Sequence, residues 1–214
     1  MPKRYLPKGI KLIEDIIEYA RTNPDIAKKM MHEALHVDTS TGILSRRGLE
    51  TFLEEASSSK ESGILYIDLM GLKKLNDTHG HQAGDKAILD VATSLRKIIR
   101  KKTKERPSDA LFLNHEVGRM GGDEFVVVLK NVGGYDGLIK VARRIQKFFN
   151  LYSIAPIAIG GAIYRKGEEN IEQVVNDADK AMYDIKDQLY EKEGGKRSDY
   201  AIHFGNGRVK VHPK

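Results

Sequence analysis

The groups in this sequence best suited to chemistry are four carboxylates and the polar run between them. Asp68 is the single charge in Gly63-Ile64-Leu65-Tyr66-Ile67-Asp68-Leu69. Asp123 and Glu124 follow the pair Gly121-Gly122 and precede the apolar stretch from Phe125 to Leu129. A carboxylate that ends a strand and another at a turn tip can meet at one edge of a sheet. Hard divalent ions such as Mg²⁺ take oxygen ligands, usually one or two carboxylates completed by water and substrate phosphate. The two glycines remove side chains where the backbone turns sharply and where a ligand comes close. Gly-Gly-Asp-Glu also suits a plain surface hairpin, because Gly and Asp are common turn formers. Asp68 is harder to assign to structure alone, since a buried unpaired charge is costly. Its structural alternative is a helix cap.

The segment from Leu69 to Asp85 is rich in turn residues and in recognition groups. Backbone amides after the strand and the Lys73 ammonium suit phosphates. A carboxylate such as Asp85 can accept the paired N1–H and N2–H donors of guanine, and Asn76 can meet a base edge with either end of its amide. Capping and turn formation are the alternatives for Asn76, Asp77 and Asp85. For His79 and His81 the alternative is a structural hydrogen bond.

The elements that must position these groups follow from spacing. Apolar residues at helical intervals predict helices over 10–20, 24–36, 46–56, 84–101, 135–149 and 170–190. The nearly continuous apolar run at 63–69 predicts a strand buried on both sides. Residues 111–120 and 124–129 predict a hairpin with an acidic tip, and strands are expected at 155–164 and 200–204. Helices and strands in this order predict an α+β sandwich with a mixed central sheet flanked by helices, best matched by a ferredoxin-like core. Residues 1–36 form an N-terminal helical lead-in, and 37–214 form the main domain.

Composition limits the partners. A 40% hydrophobic, 31% charged chain of 214 residues is long enough for one well-cored domain plus an appendage. Its apolar stretches are strand-sized, well short of the roughly 18 residues that would signal a membrane span. There is no cysteine, and no apolar signal core follows the basic N-terminus, so a cytoplasmic location is expected. The net charge of +6 is spread among acids with few aromatics interleaved. That favours a phosphorylated small ligand over nucleic acid.

Together these residues resemble the GGDEF family of diguanylate cyclases, over roughly Val37 to the C-terminus. Five ordered blocks carry the resemblance: Asp38 to Arg47, Asp68 to Asn76, Gly80 to Asp85, Arg119 to Phe125, and Ala178 to Lys186. It implies a nucleotidyl-cyclase, polymerase-palm-like fold. It implies condensation of two GTP molecules into cyclic di-GMP and pyrophosphate, with two Mg²⁺ or Mn²⁺ ions per active site. Asp68, the Leu69 carbonyl, Asp123 and Glu124 would hold metal, and Asp123 would act as general base. Asn76 and Asp85 would read guanine with His81 close by. Lys73, Lys186 and the amides of Gly71 and Leu72 would neutralise the triphosphate. Each domain holds one GTP, so a homodimer is implied, with the front helices joining protomers or receiving a signal from a sensor or partner protein. The sequence departs from the family at Met70, where a second acid is usual. It also departs at Phe112 and His115, where a product-binding Arg-x-x-Asp is common, and after Lys186, where Gly-Arg-Asn is usual. An enzyme without product feedback is expected; the alternative is a silent domain that binds GTP or a partner.

Overall fold

The computed structural model describes residues 13–27, 35–99, 115–152, 155–193, 198–203 and 208–210. Its centre is β1 (Glu61–Leu69), eight of whose nine residues are buried. Such burial requires cover on both faces and both edges. The edges are closed by two antiparallel neighbours, β3 (Glu124–Lys130) and β4 (Ile157–Arg165). The sheet continues outward in the order β2-β3-β1-β4-β5-β6, with β2 at His115–Gly121, β5 at Asp199–His203 and β6 at Arg208–Lys210. Only the β4–β5 pair is parallel, so the sheet is mixed as the sequence predicts.

Six helices have defined bounds: α1 (Ile13–Thr22), α2 (Arg46–Ser57), α3 (Leu72–His79), α4 (His81–Ile99), α5 (Gly134–Tyr152) and α6 (Ile171–Glu193). Residues 24–27 and 35–36 are helical as well. The alternation of β1 sorts its side chains between two cores. Leu65, Ile67 and Leu69 pack with Ile88, Val91 and Leu95 of α4 and with Leu138, Ile145 and Phe149 of α5. Ile64 and Tyr66 pack with Leu49 of α2 and with Val174, Ala178, Met182 and Ile185 of α6. Ser45 caps α2 by accepting the Gly48 amide, and an isolated bridge between Leu44 and Gly118 ties the preceding turn to β2.

Two elements differ from the sequence expectation. The run 72–79, read as turns, is helix α3, and a break at Gly80 separates it from α4. Its polar composition disfavours a helix, but Leu72 and Leu75 pack against the α4 and α5 core, and positive-φ glycines at 71 and 80 delimit it. Strand β6 is three residues long, too short to give a periodic signal.

Helix α6 lies directly on β4. A Cβ built on Gly160 would collide with the Ala178 carbonyl and the Met182 amide, both backbone atoms of α6. Gly160→Ala is therefore expected to destabilise the fold by about 1–3 kcal/mol, seen as a lower urea midpoint. Gly121→Ala, where a Cβ meets nothing within 4 Å, is expected to stay within about 0.5 kcal/mol of the parent.

Candidate active site

At the end of β1, Asp68 stands opposite Glu124 of β3, and the Leu69 amide donates to the Asp123 carbonyl at 3.0 Å. Directly opposed residues in an antiparallel pair share a face, so Asp68 and Glu124 both point to the α6 side. Tyr66, two residues earlier on that face, donates its hydroxyl to Glu124 Oε2 at 3.1 Å. From above, α6 lowers Lys186, whose Nζ donates to Asp68 Oδ2 at 2.7 Å. Asp68 is 2% exposed, and its Oδ1 has no hydrogen-bond partner.

The electrostatics follow from this burial. Desolvation pushes the Asp68 carboxyl above its ordinary value, and the charges of Asp123 and Glu124 push the same way against the Lys186 ammonium. Burial also works against Lys186, but the hydrogen bond and charge of Asp68 outweigh it and hold the ammonium above its usual range. Both shifts are upward, which disfavours the charged form of Asp68 and favours that of Lys186, because Asp68 is the more deeply buried partner and has two acids beside it. On balance its charge opposes folding. Burial, with Glu124 next, raises the Tyr66 hydroxyl, which stays protonated as a donor.

The hairpin tip is clamped from its base. Arg119 donates through Nη2 and Nε to the Gly122 carbonyl at 2.7 and 3.0 Å, and through Nη1 to Ser40 Oγ at 2.8 Å. Asp38, 3.6 Å from Arg119, accepts from the Thr41 amide, Thr41 Oγ1 and Ser40 Oγ. These bonds overcome the burial of Asp38 and hold its carboxyl below the ordinary value. A register shift between Arg119 and Gly121 and a positive φ at Gly122 turn Asp123 back toward β1.

On the other side of β1, Gly71 takes a left-handed conformation with φ 76° immediately before α3. Its amide and that of Leu72 open the helix, and Lys73 lies exposed beside them. Asn76 packs on Gly84, where any Cβ would collide with its Oδ1. That oxygen is buried without a hydrogen-bond partner. His81 and Asp85 are exposed on the first turns of α4.

The structure thus joins Asp68, Asp123, Glu124 and Lys186 at one end of the sheet and places Asn76 against the α4 start. Among the described residues no three acidic or histidine side chains converge closely enough to hold a metal by themselves. The donor set nevertheless fits a hard divalent ion, because Asp68 keeps a buried acceptor oxygen unmet between two further acids. Met70 is 3% exposed, packs in the apolar layer under α6 and borders the cleft beside Gly71 and Tyr190. Arg106 and Asp109, an Arg-x-x-Asp pair six residues before the usual product-binding position, and Lys196 and Arg197, cations in the stretch that replaces Gly-Arg-Asn, lie outside the described residues, as does Phe112. Tyr66 escaped the sequence reasoning, although its position two residues before Asp68 puts it on the same face.

A family model described as "Diguanylate cyclase, GGDEF domain" matches residues 35–192. The chain is 28% identical over 178 residues to diguanylate cyclase DgcN of Escherichia coli, covering 77% of this chain and 40% of that protein. It is 34% identical over 143 residues to diguanylate cyclase A of Treponema denticola, covering 63% and 35% respectively. The chain therefore spans well under half the length of these relatives. The solved coiled coil and GGDEF domain of DgcB from Caulobacter crescentus, in complex with c-di-GMP, superposes with a TM-score of 0.65 at 18% identity. It covers 86% of this chain and 95% of that one.

Because its carboxyl is raised in the folded state, Asp68 binds its proton more tightly there than in the unfolded chain, so its ionisation lowers stability as pH rises. Asp68→Asn removes that dependence. In urea melts without metal the variant is expected to be the more stable at pH 7. Its lead should shrink as pH falls through the native value of Asp68 toward the ordinary 3.8. A variant less stable than the parent at pH 7 would contradict this.

Proposed function

The chain belongs to the GGDEF family of diguanylate cyclases, and from that premise we propose that it condenses two GTP molecules into cyclic di-GMP. The observation that carries this is the buried carboxylate of Asp68, with one oxygen unmet, facing Glu124 and the Asp123 turn at the end of β1. In each half-reaction the 3′-oxygen of one GTP forms a bond to the α-phosphorus of the other. The bond to the bridging oxygen breaks, pyrophosphate leaves, and the hydroxyl proton goes to a base, for which Asp123 is our candidate. Such chemistry asks mainly for alignment and for neutralisation of charge.

Asp68, Asp123, Glu124 and the Leu69 carbonyl would hold Mg²⁺ or Mn²⁺, which when bound neutralises phosphate charge and makes the hydroxyl a better nucleophile. Lys186, Lys73 and the Gly71 and Leu72 amides receive the triphosphate. Asn76 and Asp85 read guanine with His81 beside them; Asn76 is held against Gly84, and Asp85 suits the N1–H and N2–H pair. The active form is a homodimer, because one such site holds one GTP. The front helices, of which α1 is described, are proposed to bring protomers together or to receive a partner's signal. No helix of the described residues is long and apolar enough to cross a membrane.

The test is incubation of the purified chain with GTP and Mg²⁺, followed by chromatography for cyclic di-GMP. Product is expected from the parent, and Asp123→Ala should reduce its rate on the order of 10²-fold or more. Absence of product from the parent at high protein concentration would overturn the proposal. The initial rate per protomer should rise with protein concentration at saturating GTP, as a dimeric catalyst requires. A rate per protomer that is flat down to monomeric dilution would exclude the dimer. Gly84→Ala should raise KM for GTP by pushing Asn76 out of place, while a circular dichroism spectrum reports an intact fold.

A further inference from the structure

Lys186 and Tyr190 are four residues apart on α6 and so leave the helix on one face. Lys186 reaches Asp68. Tyr190 reaches the next stretch of chain, where the Gly71 amide donates to its hydroxyl oxygen at 3.2 Å. Gly71 is the left-handed residue before α3, and its own side is open, with nothing within 4 Å of a built Cβ. A backbone N–H makes one strong hydrogen bond. The acceptor that Gly71 now has would have to leave before a phosphate oxygen took its place.

We propose that Tyr190 is an internal competitor of the nucleotide. Its hydroxyl oxygen holds the Gly71 donor that a phosphate oxygen takes on binding. This rests on the assignment of the Gly71 amide to phosphate given above. Three features support it. The tyrosine is 46% exposed, so its ring can swing outward without opening the core. It borders a cleft of about 810 Å³ that is also lined by Gly71, Lys73, Lys74, Asp77 and His79, which gives the displaced ring and an incoming phosphate room. One helical turn earlier, Lys186 sets a positive charge on the acidic group where a cation is to bind. Together the two side chains present a cation to the carboxylate and an oxygen to the amide, the same pair of polarities that a metal-bound phosphate presents. Tyr190 thereby lowers nucleotide affinity by the fraction of time it is displaced.

Tyr190→Phe keeps the ring and removes only the acceptor. A neutral hydrogen bond of ordinary net strength corresponds to roughly three- to tenfold in affinity. Isothermal titration with the α,β-methylene analogue of GTP plus Mg²⁺ should give a Kd lower by that factor in Tyr190→Phe. The same gain should appear in KM for GTP, and in the Kd of Mg²⁺-pyrophosphate, which probes the phosphate loop without guanine. Equal or weaker binding of both probes by the variant would overturn the proposal. A gain for pyrophosphate in a protein that makes no cyclic di-GMP would sustain the competitor and sink the cyclase assignment. Failure of the parent to bind either probe would sink the competitor along with the assignment on which it rests.

Discussion

Asp68 carries its charge almost wholly inside the protein, and both strands beside β1 are registered against it. The Leu69 amide is spent on the Asp123 carbonyl and the Met70 amide on the Pro156 carbonyl, at 3.0 and 2.9 Å. A slip of one residue in either ladder would send a buried side chain to the wrong face. The height and direction of the carboxylate are therefore fixed by the apolar pattern of three strands rather than by anything polar near it. What remains adjustable is the compensation for that charge, which among the described residues comes from the Lys186 ammonium on α6.

That ammonium depends in turn on how closely α6 can approach. Gly160 lets the helix backbone rest on β4, and Ala178, Ala181 and Met182 fill the same seam. A wider gap would leave Lys186 short of Asp68, whose desolvation would then be uncompensated. On the other side, the hairpin is held by Arg119, which links the Gly122 carbonyl to the turn at Asp38 to Thr41. Tip and helix are thus anchored independently, one through a guanidinium network and the other through close packing. Of the acids between them, Asp68 and Glu124 belong to the sheet and Asp123 to the turn that Arg119 holds.

Much of this was legible in the chain itself. The apolar run around Asp68, the Gly121-Gly122 turn and the long periodic helices announced the sheet, the hairpin and the end at which the carboxylates gather. Helix α3 was hidden, because Asn, Asp, Thr and His read as turn formers and its stability comes from two leucines docked on a distant core. The pairings that make the site work were also hidden. Lys186 and Asp68 are 118 residues apart, and Tyr66 and Glu124 are 58 apart. Local periodicity says which face of an element is buried, but not which residue of another element it will meet. Tyr190 illustrates the limit most plainly: in sequence it is one more aromatic on a helix, and only docking puts its hydroxyl over the Gly71 amide.

The polar atoms left unmatched complete the physical picture. Among the described residues, the buried side-chain atoms without hydrogen bonds are Asp68 Oδ1, Asn76 Oδ1, Gln146 Oε1 and Gln188 Oε1. Asp68 lies shortly before α3 and Asn76 within it, while Gln146 lies on α5 and Gln188 on α6. Each unmet buried acceptor costs about 1–3 kcal/mol, so they would be expected to be rare and scattered if folding alone had shaped them. Two of the four, on Asp68 and Asn76, stand at residues proposed to meet metal and nucleotide. A site whose donors and acceptors were all satisfied by protein would have to break every bond to admit a nucleotide. Here the Asp68 and Asn76 oxygens are unmet, while the Lys186 ammonium and the Tyr190 hydroxyl cover the positions proposed for the ligand's charges.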